Sequence, residues 1–96
     1  MGEQNMDDNS VFIGNKPFMN YVTSVVMSFT AQNLDEVVVK ARGKLISRAV
    51  DVVEVSKNRF LESVSVKDIK IGSEEHKNRD GRDVKVSFIE ITMGRN

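Results

Sequence analysis

Cysteine is absent from the 96 residues, and so is tryptophan. Without cysteine there is no disulfide framework, no thiolate zinc site and no cysteine nucleophile, which suits a reducing cytosol. Histidine occurs once, at His76, inside a polar stretch. That leaves no catalytic imidazole pair and no metal-ligand spacing. No segment approaches the roughly 18 apolar residues of a membrane span, and Met1–Ser10 lacks the basic start and apolar run of a signal peptide. A cytoplasmic chain is expected. The glycine patterns that cradle a mononucleotide, GxxxxGKS/T and GxGxxG, are missing too.

An excess of one charge is also lacking: 14 basic residues balance 14 acidic ones. Three of the acids (Glu3, Asp7 and Asp8) fall in a polar stretch, 1–9, that reads as a flexible leader. From Val11 onward 14 basic residues face 11 acidic ones, a mild surplus. Any attraction for a polyanion must come from where the charges sit. One domain, 10–96, with a thin core fits this length, and burying a face against a partner is a reasonable expectation.

Ser10–Gly14 is a short apolar run closed by glycine, as in a buried strand. The only proline, Pro17, suits a first helical position. Behind it Phe18, Tyr21, Val22, Val25, Val26 and Phe29 make one stripe of an amphipathic helix ending near Gln32–Asn33. Glu36–Ala41 reads as a second strand, and a second helix runs from Gly43 to about Phe60. Ile46, Ala49, Val50, Val53 and Phe60 form its inner face; Ser47, Arg48, Asp51 and Glu54 lie outside, the two acids as solvated surface. Val50–Val55 alternates enough to be read as a strand, but segment length favours helix. Val64–Ile71 and Val84–Met93 are the last strands. Each shows a slip of apolar phase that predicts a bulge or twist. Between them Gly72–Asp83 reads as polar and turn-rich, with its tip at Asn78–Gly81. The order is β-α-β-α-β-β, an α+β two-layer sandwich with a β3-β4 hairpin arm.

Two turns stand out. Gly14-Asn15-Lys16-Pro17 and Ala41-Arg42-Gly43-Lys44 each place glycine and basic residues where a strand hands over to a helix start. Helix starts present unpaired N–H groups and a partial positive charge, which favour an anion. Arg42, Lys44 and Arg48 crowd the second start, although cations there oppose the helix dipole by about 0.3–1 kcal/mol each. If the two strands are parallel neighbours, both turns open on one sheet edge as a composite phosphate-binding surface. Solvated loop charges are the plain alternative. Lys77, Arg79 and Arg82 surround the hairpin tip, where arginines could enter a minor groove. Glu74, Glu75, Asp80 and Asp83 dilute that charge, as an ordinary soluble loop would.

The segments Val11–Val22 (VFIGNKPFMNYV), Val37–Phe60 (VVVKARGKLISRAVDVVEVSKNRF) and the DGR…IEI pattern from Asp80 to Ile91 resemble the archaeal Alba family of chromatin proteins. The resemblance covers Ser10 to Met93. It implies a fold like the C-terminal domain of translation initiation factor 3, and a homodimer with two outreaching arms. It further implies that Lys16 and Arg42, with Lys44 beside them, sit over the backbone of double-stranded DNA while Arg79 and Arg82 approach the minor groove. Asn15, Tyr21, Arg48 and Lys77 complete the expected nucleic-acid surface. Phe60, with Arg59, corresponds to the family's contact between dimers. The family often reads Gly-Lys-Lys-Pro where this chain has Gly14-Asn15-Lys16-Pro17. The position linked to acetylation in the family is therefore an asparagine here. Asn15 can hydrogen-bond a phosphate but releases no counterion, which predicts weaker, less salt-sensitive binding than in a fully basic homologue.

The expectation is a non-enzymatic, chromosome-associated DNA-binding protein of architectural or regulatory role, needing no cofactor or small-molecule substrate. An RNA-binding protein or ribonucleoprotein subunit is the alternative. RNP-type aromatics are not evident in the sequence.

Overall fold

The computed structural model describes residues 9–96. The expected flexible leader, 1–9, lies outside them apart from Asn9. The elements are β1 (Ser10–Phe12), α1 (Phe18–Thr30), β2 (Glu36–Arg42), a 3-10 turn (Gly43–Leu45), α2 (Ile46–Val55), a π turn (Ser56–Phe60), β3 (Val64–Lys77) and β4 (Asp83–Arg95). The sheet runs β1-β2-β4-β3, with β1 parallel to β2 and the other pairs antiparallel. The α+β sandwich and its hairpin are thus as expected.

Alternation in β2 explains the core. Val37, Val39 and Ala41 point to one face, opposite Met93, Ile91 and Ile89 of β4, and all six are buried. Tyr21, Val22, Val25 and Phe29 of α1 and Ala49, Val52 and Val53 of α2 cover that face. β1 differs from the expected buried strand. It lies at the sheet edge, pairs over three residues only, and leaves Phe12 63% exposed.

α1 starts one residue later than expected, with Pro17 as its N-cap. Beyond its end Asn33 takes a left-handed φ of 57°, which asparagine tolerates. Arg95, at the far end of β4, then seals the helix terminus. Its Nη2 donates to the Phe29 carbonyl at 2.6 Å and to Asn33 Oδ1 at 3.2 Å, and its Nε donates to the Leu34 carbonyl at 3.3 Å. A cation is favoured there by the helix dipole.

The inner face of α2 is rotated from the expected one. Ala49, Val52, Val53 and Ser56 point inward, whereas Val50 is 41% and Phe60 50% exposed. A serine inside the core hid this phase, and the wider π turn carries Phe60 outward. Val50–Val55 is helix, not strand.

The hairpin is longer than expected. β3 and β4 pair from Val64↔Arg95 to Lys77↔Asp83, so only 78–82 turn. A single register shift, between Val66 and Asp68, accounts for the phase slip in β3. β4 has no bulge. Its slip marks a change of environment: Ile89, Ile91 and Met93 face the helices, while Val84, Val86 and Phe88 lie on the opposite face. Gly72–Lys77 is strand despite its polarity, because charges pair across the ladder: Lys77 with Asp83 at 2.9 Å and Lys85 with Glu75 at 3.8 Å. The arm helps stretch the long axis to 45 Å. Among the described residues no helix is long and apolar enough to cross a membrane.

Candidate nucleic-acid interface

The parallel pairing of β1 and β2 sends both basic turns out over one edge of the sheet. Arg48 of α2 joins them: its Nη2 donates to the Lys16 carbonyl at 2.7 Å. The guanidinium carbon also sits 5.8 Å from the centre of the Phe18 ring and 5.9 Å from that of Tyr21. Arg48 is half-buried, so part of its donor capacity holds the first turn in place instead of facing solvent.

Tyr21 does not line the surface as expected. It is 7% exposed, and its hydroxyl accepts the N–H groups of Gly14 and Lys16, each at 3.0 Å. Gly14 admits this approach because a Cβ there would stand 3.1 Å from the phenol oxygen. The consequence revises the anion-site expectation. Two amides of the first turn point inward to Tyr21 and are not free to meet an anion, whereas the side chains of Asn15 and Lys16 are exposed.

At the second turn Gly43 has a left-handed φ of 56°, the conformation glycine adopts without strain, and leads into the 3-10 turn. Arg42 and Lys44 flank it and are exposed. Neither helix carries an acid in its first turn. Arg42 Nη1 meets Glu74 Oε1 of β3 at 3.1 Å, which ties the turn to the arm. Glu74 was legible in the sequence only as a diluting charge. No local pattern reveals a partner 32 residues away.

The tip is ordered by its own backbone and the Asn78 side chain. Gly81 N–H donates to the Asn78 carbonyl at 3.0 Å, Asn78 Oδ1 accepts from the N–H groups of Asp80 and Arg82, and Gly81 takes φ 79°. Arg79 and Arg82 project from it with no ion-pair partner among the described residues, whereas Lys77 is held by Asp83. His76 is an exposed strand residue opposite Val84. Arg59 and Phe60 lie apart from this surface. They border a cleft of about 600 Å³ with Phe29, Asn33 and Arg95, beside the C-terminal end of α1.

The Alba family model matches residues 9–73, about two thirds of the chain. The chain belongs to the Alba family. It is 49% identical over 86 residues to a DNA/RNA-binding protein Alba from Methanococcus maripaludis, covering 90% of this chain and 97% of that one. With a DNA/RNA-binding protein Alba from Methanothrix thermoacetophila it shares 55% identity over 89 residues, 93% of this chain and 98% of the relative. Its fold superposes on Alba from Thermoplasma volcanium with a TM-score of 0.84 at 41% identity, across 91% of this chain and all of the other. Both basic turns fall inside the span matched by the Alba model; the hairpin tip lies beyond it.

Proposed function

We propose that this Alba-family protein is a non-enzymatic nucleic-acid-binding protein, and that a homodimer of it lies along double-stranded DNA. Lys16, Arg42 and Lys44 contact phosphates, with Asn15 as a neutral donor beside them, and Arg79 and Arg82 reach the minor groove. The observation that carries this is the Arg48–Lys16 tie, which sets two basic helix-start turns side by side at the root of a long hairpin. Tyr21 and Arg48 act by shaping the first turn.

Dimerisation is supported by the uncovered end of the sheet. α1 packs on β1 and β2, and α2 on β2 and β4. Ile69 and Ile71 of β3 sit on the helix-bearing face, opposite Ile91 and Ile89, yet are 56% and 74% exposed. The same patch on a second copy would bury them in an isologous contact. Phe60 and Arg59 would then join neighbouring dimers on DNA. A place on the chromosome in the cytoplasm follows from this reading.

The names of the relatives favour a second reading, RNA binding, because phosphate contacts alone do not separate A-form from B-form duplexes. Competition between DNA and RNA duplexes of matched sequence tests both. Preference for the DNA duplex is expected. Preference for RNA would install the second reading, and binding to neither would sink the proposal.

A further inference from the structure

The face of the sheet turned away from the helices carries two phenylalanines, Phe12 largely exposed and Phe88 half-buried. Register puts Phe12 of β1 beside Lys40 of β2, and Phe88 of β4 beside Arg42 of β2. The two phenylalanines therefore flank one strand, whose cations stand between them. Phe12 is 63% exposed, and Lys40 Nζ lies 5.4 Å from its ring centre. Phe88 is set by a gap in the neighbouring strand: its ring tip occupies the space above Gly72, where a Cβ would come within 2.7 Å of Cζ. Phe12, Phe88, Lys40, Arg42, Glu74 and Glu90 line one cavity of about 390 Å³. That is within the roughly 300–1,000 Å³ of small-ligand sites.

We propose that this cavity holds an unpaired nucleobase of a single-stranded nucleic acid, stacked on Phe12 and Phe88, with the adjoining phosphate on Arg42 and Lys40. Sheet-borne aromatics stack splayed bases in single-strand binders because every base offers a π-face, and nearby cations hold the backbone. Two cations lie between the rings, and two acids, Glu74 and Glu90, line the same cavity, so it is the paired aromatic faces, and not net charge, that fit a base better than an apolar peptide. Arg42 donates one N–H to Glu74 and has further donors left for a phosphate. The site deepens the nucleic-acid reading above: Arg42 belongs to both surfaces, the two rings only to this one. It gives the protein a way to hold a single strand that the duplex-gripping turns do not supply.

The test is fluorescence titration of a ten-nucleotide single-stranded DNA containing one 2-aminopurine, run beside a fluorescently labelled duplex, with wild type, Phe12→Leu and Phe88→Leu. Leucine keeps apolar bulk and removes the stacking face; at an exposed edge position such as 12 it leaves folding nearly untouched. Circular dichroism checks that each variant is folded. Stacking contributes about 1–3 kcal/mol per base, so Phe12→Leu should weaken single-strand binding by about fivefold or more. It should also relieve the quenching of 2-aminopurine while duplex affinity stays unchanged. Unchanged single-strand affinity and quenching in folded Phe12→Leu would overturn the site. So would equal losses for single strand and duplex. If wild type binds the duplex and ignores the single strand, this inference fails while the duplex reading stands. If it binds neither, the duplex reading itself fails.

Discussion

Arg42 ends β2 and Glu74 lies on β3, and their side chains meet at 3.1 Å across the base of the hairpin arm. Both are more than half exposed or close to it, at 62% and 50%, so the pair adds little to stability. On the proposed function, its effect falls on binding. A phosphate arriving at Arg42 meets a carboxylate already there, which lowers the attraction that the cation would otherwise exert.

Glu74→Gln should therefore tighten duplex binding by about two- to fivefold, within the roughly 1 kcal/mol that an exposed ion pair can reach. The melting temperature should barely move. Fluorescence anisotropy at fixed salt, paired with a thermal melt, checks both halves. Weaker binding by the glutamine variant would mean that Glu74 positions Arg42 instead of competing for it.

Tyr21→Phe isolates a hydroxyl that accepts two amides of the first turn. Removing an acceptor from part-buried N–H groups costs about 1–3 kcal/mol. The variant should lose stability by that order in denaturant titration. It should also bind duplex less well, although the ring itself is buried. Wild-type stability with weakened binding would instead indicate direct contact by the phenol.

Phe60→Ala should leave stability nearly unchanged, because the ring is half exposed on the π turn. Cooperative coating of long duplexes should fall, while affinity for a duplex that accommodates one dimer stays the same. Titrations against short and long duplexes separate the two. A variant that is strongly destabilised would make Phe60 a packing residue.

Elements with regular apolar periods were legible in the sequence. The α1 stripe and the valines of β2 could be read because burial repeats with the period of the backbone. Both basic turns could be read because glycine, proline and cations mark strand-to-helix joints. The outer half of the hairpin could not, since charge pairs such as Lys77–Asp83 hold it and leave no apolar pattern. The inner face of α2 was hidden by Ser56, a polar residue in the core. Contacts set by the sheet order escaped as well. Glu74 reaches Arg42, and Phe12 and Phe88 flank β2, only because β4 inserts between β2 and β3. Tyr21 is legible as part of the α1 stripe and as an expected surface residue, but nothing in the sequence reveals that its hydroxyl turns back to the loop.

Phosphate held by the two helix-start turns, and not by general charge, would show in the salt dependence of binding. The direct measurement is the slope of log K against log salt for duplex DNA, comparing wild type with the Lys16→Ala/Arg42→Ala double variant. Each lost phosphate contact lowers the slope by about 0.9, so a dimer lacking four contacts should lose about 3.6. A double variant that binds with the wild-type slope and affinity would mean that the two turns do not hold the phosphates.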